Sequence, residues 1–526
     1  MTEALANWPY APAALLAGAA TFGVVLFTLA WIGIPGVDSI SRNTIQRLAK
    51  NSAAPVAGQL ANRAVDLVFA AFVLRLLGAT ANGQYAVAVV AWLYLKTISD
   101  FGLSVLVTRE AARSPERAGE LLGASTILRI LVLLALVPPV AAYAVGGLRF
   151  LELSPASAAA IGLLMLSIVP GSYTEAVNSI FNARERMELP AALNVATNLF
   201  RACLGLGALV AGLGVIGLAL VALVTTSVAA VAYHVALRHL AVRPVWRLTR
   251  RDARWLLTIS WPLLLNGLLM NLFFRADVFV IQAAQGDYAL GVYDAAYKFI
   301  NTVLLVPTYF TLAVFPILTR YAASDHSRLL DSFGLAVKFM LIIAWPVTLG
   351  TVALAPLLIG ILGGADFLPD SANALRVLIW FLPWSYVNGI TQYVLVAVDR
   401  QRSITWAFAA AVAFNLAANL ALVPIFSFYA AAGVTVATEV VIFAMLALAV
   451  RRYIGPLSWA GLAVRPTLAA AAMGLTLVAA WRLGAIPATV IGCLAYAVAL
   501  VVSGAVGRRE ADIALALLGR ARPAAS

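Results

Sequence analysis

Apolar runs of about 20 residues recur along the whole chain, and no other feature constrains its folding as tightly. Inside hydrocarbon a backbone must satisfy its own hydrogen bonds, so such runs cross a bilayer as helices. Runs near 10–34, 54–77, 84–107, 121–144, 157–180, 189–211, 214–237, 257–283, 290–318, 333–355, 373–396, 403–424, 429–450, 466–482 and 487–506 predict an all-α polytopic membrane protein. Charged residues make up 11% of the chain, against about 25% in soluble domains, and that leaves no room for a large soluble domain. The first run lacks the positive leader of a secretory signal. Met1 to Trp8 carry Glu3 and neither Lys nor Arg.

The net charge of +13 would suggest nucleic acid in a soluble protein. Here the cations sit in short loops between apolar runs, so membrane lipid is the expected surroundings and nucleic acid is not a partner. Alternate loops hold Arg42, Arg47 and Lys50; Arg109, Arg113 and Arg117; Arg184 and Arg186; the series from Arg238 to Arg254; Arg320 and Arg328; Arg400 and Arg402; Arg451, Arg452 and Arg465; and Arg508 to Arg522. The other loops hold only Arg149 and Arg482. The positive-inside rule then places the N-terminus outside and the C-terminus in the cytoplasm. Cys203 and Cys493 lie inside apolar runs without a CxxC partner, and His234, His239 and His326 form no ligand cluster. No disulfide, metal or cofactor is expected.

The segment from Gly78 to Tyr85 and the segment from Gly286 to Tyr293 share the pattern G-x4-G-x-Y. Both fall on expected outside turns, and the longer outside loops near 145–156 and 354–372 keep the same offset. Two six-span halves of equal orientation make a parallel repeat. The expected organisation is an extra helix and linker at 1–52, an N-lobe at 53–240, a basic cytoplasmic linker at 241–255, a C-lobe at 256–450 and two closing helices with a tail at 451–526. The linker's Arg series reads as a topology anchor beside anionic lipid.

A charge deep in a span costs about 2.5–3.5 kcal/mol, so it faces a cavity or a partner. The deepest are Arg63 and Asp66, Lys96, Arg201, Arg275 and Asp277, and Lys298. Helical spacing allows Arg63–Asp66, Lys96–Asp100 and Asp294–Lys298 pairs. Arg201 has no acid within a turn, and Arg275 and Asp277 point different ways. An excess of buried cation is therefore expected, and an anionic substrate would balance it. Gln59, Asn62, Arg63 and Asp66 form a polar stripe, and Asn266, Asn271 and Arg275 form another. Asp66, Asp100 and Asp277 are candidate Na⁺ or H⁺ carriers. Pro170, Pro262, Pro307 and Pro346 interrupt spans and mark expected kinks.

Arg75-Leu-Leu-Gly78, Gly83-Gln-Tyr85 and Asp100-Phe-Gly-Leu103 resemble the N-terminal hallmark of bacterial oligosaccharide flippases. These are the polysaccharide-transport branch of the multidrug/oligosaccharidyl-lipid/polysaccharide superfamily. Phe274-Arg-Ala-Asp277, the run from Gly291 to Lys298 and the run from Phe315 to Arg320 agree. The likeness covers about residues 43–506. It implies two six-helix lobes around a cavity, two further helices, and export of polyprenyl-pyrophosphate-linked glycan by alternating access, alongside other polysaccharide-assembly proteins. It also implies a cationic cavity lined by the first two helices of each lobe, which carries over to Arg63, Arg75, Lys96, Arg275 and Lys298; Arg201 joins them as an unpaired buried cation. Residues 1–35 precede the family's usual start.

Two other functions compete. A multidrug antiporter of the same superfamily prefers an uncompensated acidic cavity. A membrane glycosyltransferase or polymerase needs acids or His on sizeable outside loops, and these loops offer only Glu152, Asp366 and Asp370. No nucleophile–base pair is present, so the chain does not read as an enzyme.

Overall fold

The computed structural model describes residues 43–150 and 153–505. The extra span expected at 10–34 and the basic tail from Arg508 lie outside the described residues. The rest is helix without strand, as the hydropathy requires. The helices are α1 (Asn43–Asp100), α2 (Leu103–Arg113), α3 (Ala118–Ala135), α4 (Val137–Phe150), α5 (Pro155–Ala183), α6 (Glu188–Val210), α7 (Gly214–Leu237), α8 (Arg250–Val303), α9 (Leu305–Ser324), α10 (His326–Leu362), α11 (Asp370–Leu378), α12 (Leu382–Ala397), α13 (Gln401–Tyr453), α14 (Trp459–Ala480) and α15 (Ala485–Val502).

Ten of the described helical stretches are long and apolar enough to cross a membrane. Three are far longer than one crossing. At 1.5 Å per residue the 58 residues of α1 would reach about 87 Å, while a bilayer core is about 30 Å thick. Each of the three breaks at a single residue with non-helical angles: Gly78 in α1, Gly286 in α8 and Ser427 in α13. The limbs on either side coincide with separate apolar runs. Gly78 (φ 74, ψ 177) and Gly286 (φ 77, ψ −176) adopt a conformation open essentially to glycine alone. The first glycine of the repeated motif is therefore the turn between two spans.

The chain forms two compact units. One is the described part of Met1–Lys298 with Ile361–Phe367 and Val423–Phe428; the other holds Phe299–Gly360, Leu368–Leu422 and the described part of Tyr429–Ser526. In the first unit α5 packs on α7, and α1 on α6. A core of Val107, Leu122, Val177, Ile180, Phe181, Tyr233 and Leu237 joins α2, α3, α5 and α7. In the second unit Met473, Leu477, Ala488 and Tyr496 bind α14 to α15, with Ala353 of α10. The opposite faces are apolar as well: Leu475 is 74% exposed and Val502 82%. A helix apolar on every side is at home only in a core or in lipid.

The second glycine of the motif has a different task. The second limbs of α1 and α8 cross at Gly83 and Gly291. A Cβ on Gly83 would lie 1.8 Å from the Asp287 carbonyl oxygen, and one on Gly291 would lie 1.8 Å from that of Ala79. The two contacts are reciprocal, at matching positions of the two repeats. Only glycine lets the backbones approach this closely.

The apolar runs at 121–144 and 290–318 read as single spans, and both are interrupted. Helices α3 and α4 part at Leu136, just before Pro138 and Pro139; α8 and α9 part at Leu304, just before Pro307. Proline cannot donate to the carbonyl four residues back. In the second unit three of the freed carbonyls find other donors. Tyr386 donates to Val303 O (2.7 Å), serving Pro307. Tyr496 donates to Ile342 O (2.9 Å), serving Pro346. Arg376 Nε donates to Val352 O (3.3 Å), serving Pro356. Each proline break is thereby tied to a neighbouring helix.

Gly83→Ala or Gly291→Ala will separate the crossing limbs and destabilise the protein by about 3 kcal/mol, at the upper end of overpacking costs. Gly146→Ala, whose added Cβ meets nothing within 4 Å, will be tolerated. Thermal unfolding of the purified variants in detergent separates the two outcomes. In the same assay Tyr386→Phe and Tyr496→Phe will each cost about 1 kcal/mol, the usual scale of a hydrogen bond between membrane helices.

Candidate functional site

The Gly83–Gly291 crossing brings Asn82 beside the helical turn that follows Gly291. Asn82 Nδ2 donates to Gly291 O (3.0 Å) and to Asp294 (3.3 Å), and its Oδ1 accepts from Lys298 Nζ (2.9 Å). Lys298 also pairs with Asp294 one helical turn before it, as the spacing predicts. Arg275, on the first limb of α8, reaches the other oxygen of Asp294 (3.5 Å). Its guanidinium lies 4.2 Å from the centre of the Tyr297 ring. One buried carboxylate thus holds two cations and an amide. Such a constellation is polar, desolvated and carries a surplus of positive charge.

Asp277 is also buried and forms no ion pair with Arg275. It accepts from Tyr293 Oη and from the Val278 N–H. The separation of Arg275 from Asp277 expected from their two-residue spacing is therefore seen. Nearby, Asn271 donates to Thr97 Oγ1 (2.7 Å) and Tyr94 donates to Asn271 O (3.1 Å), so the polar stripe of α8 meets α1.

The other sequence candidates lie in the same unit but in separate groups. Asp66 pairs with Arg201 of α6 (2.7 Å), not with Arg63 as the helical spacing suggested. Asn198 bridges them, donating to Asp66 (3.2 Å) and accepting from Arg201 (2.7 Å). Arg201 is thus not the uncompensated cation that its own helix implied. Lys96 pairs with Glu175 of α5 (2.8 Å), not with Asp100. Asp100 is taken by Arg129 of α3 (2.9 Å) and Ser104. Of the three pairs that spacing allowed, only Asp294–Lys298 forms, and the partners of Asp66, Lys96 and Asp100 come from other helices. An exposed pair within one helix gains only about 0.2–0.5 kcal/mol, so a better-placed acid across an interface wins.

Arg75 donates to Ile361 O (2.9 Å) and so holds the segment 361–367 against α1. Arg63 is exposed and, among the described residues, forms no ion pair. Of the six proposed substrate contacts, only Arg275 and Lys298 share one cluster.

The sequence reading passed over Glu439. It lies in α13, buried, and accepts from Asn388 Nδ2 (2.7 Å) without a cation among the described residues. One turn of polar groups adjoins it: Asn415 donates to Thr438 (3.1 Å), and Asn419 to Asn415 (2.9 Å). A single acid in the apolar run 429–450 was the signal that could have found it.

The model of the polysaccharide biosynthesis protein family matches residues 48–322, and the MatE model matches residues 262–421. Among solved structures, a lipid II flippase, MurJ, in its inward closed conformation aligns with 89% of this chain and 99% of its own. The identity is 14% and the TM-score 0.72. An inward-facing multidrug resistance MATE family transporter of the MOP superfamily aligns with 74% of this chain and 94% of its own, at 16% identity and a TM-score of 0.59. A search of curated protein sequences finds no match. Identities this low establish a common fold and nothing finer. The family match covers more than half of the chain and the fold agrees with it, so this protein belongs to the polysaccharide biosynthesis protein family.

Proposed function

We propose that this protein carries a polyprenyl-pyrophosphate-linked oligosaccharide from the cytoplasmic to the outer leaflet of a bacterial plasma membrane by alternating access. The product would feed a cell-surface polysaccharide such as lipopolysaccharide or exopolysaccharide. The role is transport rather than catalysis, and neighbouring polysaccharide-assembly proteins would supply and remove the substrate. The N-terminus would lie outside and the C-terminus in the cytoplasm. The segments 53–240 and 256–450 would act as its two lobes.

The observation that carries this reading is the sharing of Asp294 by Arg275 and Lys298. A pyrophosphate can replace a carboxylate as the partner of both cations, with shorter and stronger charge-assisted contacts. Arg offers a fork that matches phosphate oxygens, and Lys offers a compact point charge. Asn82 would hold Asp294 while the cations are engaged elsewhere. Outward movement of a negative head group is downhill in an inside-negative membrane, by about 2.3 kcal/mol per charge per 100 mV. The family membership supports a polysaccharide precursor as the cargo, and the likeness to a structure named as a lipid II flippase supports a lipid-linked one.

A second reading, a multidrug or ion antiporter, is favoured by the MatE match and by the uncompensated Glu439. Both readings allow Na⁺ or H⁺ coupling, through Glu439 or through Asp66, Asp100 and Asp277.

In proteoliposomes, a fluorescent polyprenyl-pyrophosphate glycan scored for outer-leaflet accessibility will be flipped by the native protein. Arg275→Ala, Lys298→Ala and Arg63→Ala will each lower the rate at least ten-fold at normal expression, and undiminished flipping by all three would overturn the proposal. With Na⁺ and pH gradients collapsed separately, one of the two will slow native transport. Glu439→Gln will make transport insensitive to that gradient. Drug resistance that tracks Asp66 or Glu439, without glycan flipping, would favour the antiporter.

A further inference from the structure

A second polar chamber lies inside the first unit, among α1, α3, α5, α6 and α7, and the cluster around Asp294 is not part of it. It is open on one side, offers about 190 Å³ and is bordered by Trp92, Lys96, Asp100, Arg129, Glu175 and Asn194. Two buried donors on its wall, Trp92 Nε1 and Arg129 Nη1, have no hydrogen-bond partner among the described residues. Arg129 is only 1% exposed, and Asp100 engages its other nitrogens. Two carboxylates stand beside these donors. The contacts made by Asp100 and Glu175 fall on Oδ1 and Oε1, which leaves Oδ2 and Oε2 to accept. Lys96 and Glu175 are 39% and 35% exposed, so this pair opens onto the chamber.

The charges of the wall decide the ligand class. Two cations and two carboxylates cancel. With the charges paired, the wall offers a phosphate no surplus of cation. A neutral ligand bearing several hydroxyls suits both halves of the wall, because each hydroxyl both accepts and donates. Orphaned buried donors cost about 1–3 kcal/mol each, which a matched ligand recovers. At about 30 Å³ per water the space holds about six waters, about the size of one sugar ring.

We infer that this chamber is a subsite for one neutral pyranose unit, reading the glycan by its hydroxyls while the charged head is held elsewhere. The inference rests on the proposed transport of a lipid-linked glycan and assigns that cargo's sugar a place.

The test is saturation-transfer NMR on the full chain in lipid nanodiscs, with the methyl glycosides of glucose, galactose, mannose and N-acetylglucosamine as probes and inorganic pyrophosphate as competitor. At least one glycoside will receive saturation, and pyrophosphate will not displace it. Trp92→Phe and Glu175→Gln will each weaken that binding at least five-fold, while Trp246→Phe, on the exposed basic linker, will not. No transfer to any glycoside, equal transfer in both chamber variants, or displacement by pyrophosphate would overturn the subsite. Flipping of a lipid-linked glycan is measured in parallel. Native rate and glycan selectivity in Trp92→Phe and Glu175→Gln would overturn the subsite and leave the flippase reading standing. Absence of flipping by the native protein, with glycoside binding intact, would remove the flippase reading alone.

Discussion

Two glycines in backbone contact, Gly83 and Gly291, set the geometry on which the polar heart of the first unit depends. Their reciprocal approach to the carbonyls of Asp287 and Ala79 lets one helix limb from each repeat cross without side chains between them. That closeness carries Asn82 to Gly291 O and to Asp294, and through Asn82 to Lys298. In hydrocarbon an unmatched buried charge is far more costly than an unfilled gap, so a contact of bare backbones that completes a charge network stabilises the crossing twice. The repeat is symmetric in its glycines and asymmetric in its chemistry: the positions of the first repeat that match Asp294 and Lys298 are Ala86 and Val90.

The same demand for internal satisfaction explains the surroundings of three prolines of the second unit, Pro307, Pro346 and Pro356. A proline in a membrane helix frees a carbonyl that lipid cannot solvate. Tyr386, Tyr496 and Arg376 supply the missing donors from other helices. Each break therefore becomes a specific tie, and the helix bends where a neighbour can hold it.

Much of this was legible in the residues. The apolar runs marked the helices, and the paired G-x4-G-x-Y motifs marked both the sharp turns and the crossing. The four-residue spacing of Asp294 and Lys298 gave their ion pair. The partners of Asp66, Lys96 and Asp100 were not legible. Spacing along one helix proposed Arg63, Asp100 and Lys96, whereas Arg201, Glu175 and Arg129 arrive from helices far away in the chain. Glu439 was visible as one acid in an apolar run, but its partner Asn388 belongs to another helix.

The sequence by itself determined that this chain must be helical and cross a membrane repeatedly, because bilayer thickness and backbone hydrogen bonding act on each segment alone. It also determined two of the sharp turns, since Gly78 and Gly286 take angles that favour glycine, while the third turn falls on Ser427 and had no such mark. The tertiary structure alone decided which charges neutralise one another, which carbonyls are rescued and which donors line the inner chamber. Those outcomes depend on which helices are neighbours, and periodicity along one helix holds no record of the helix beside it.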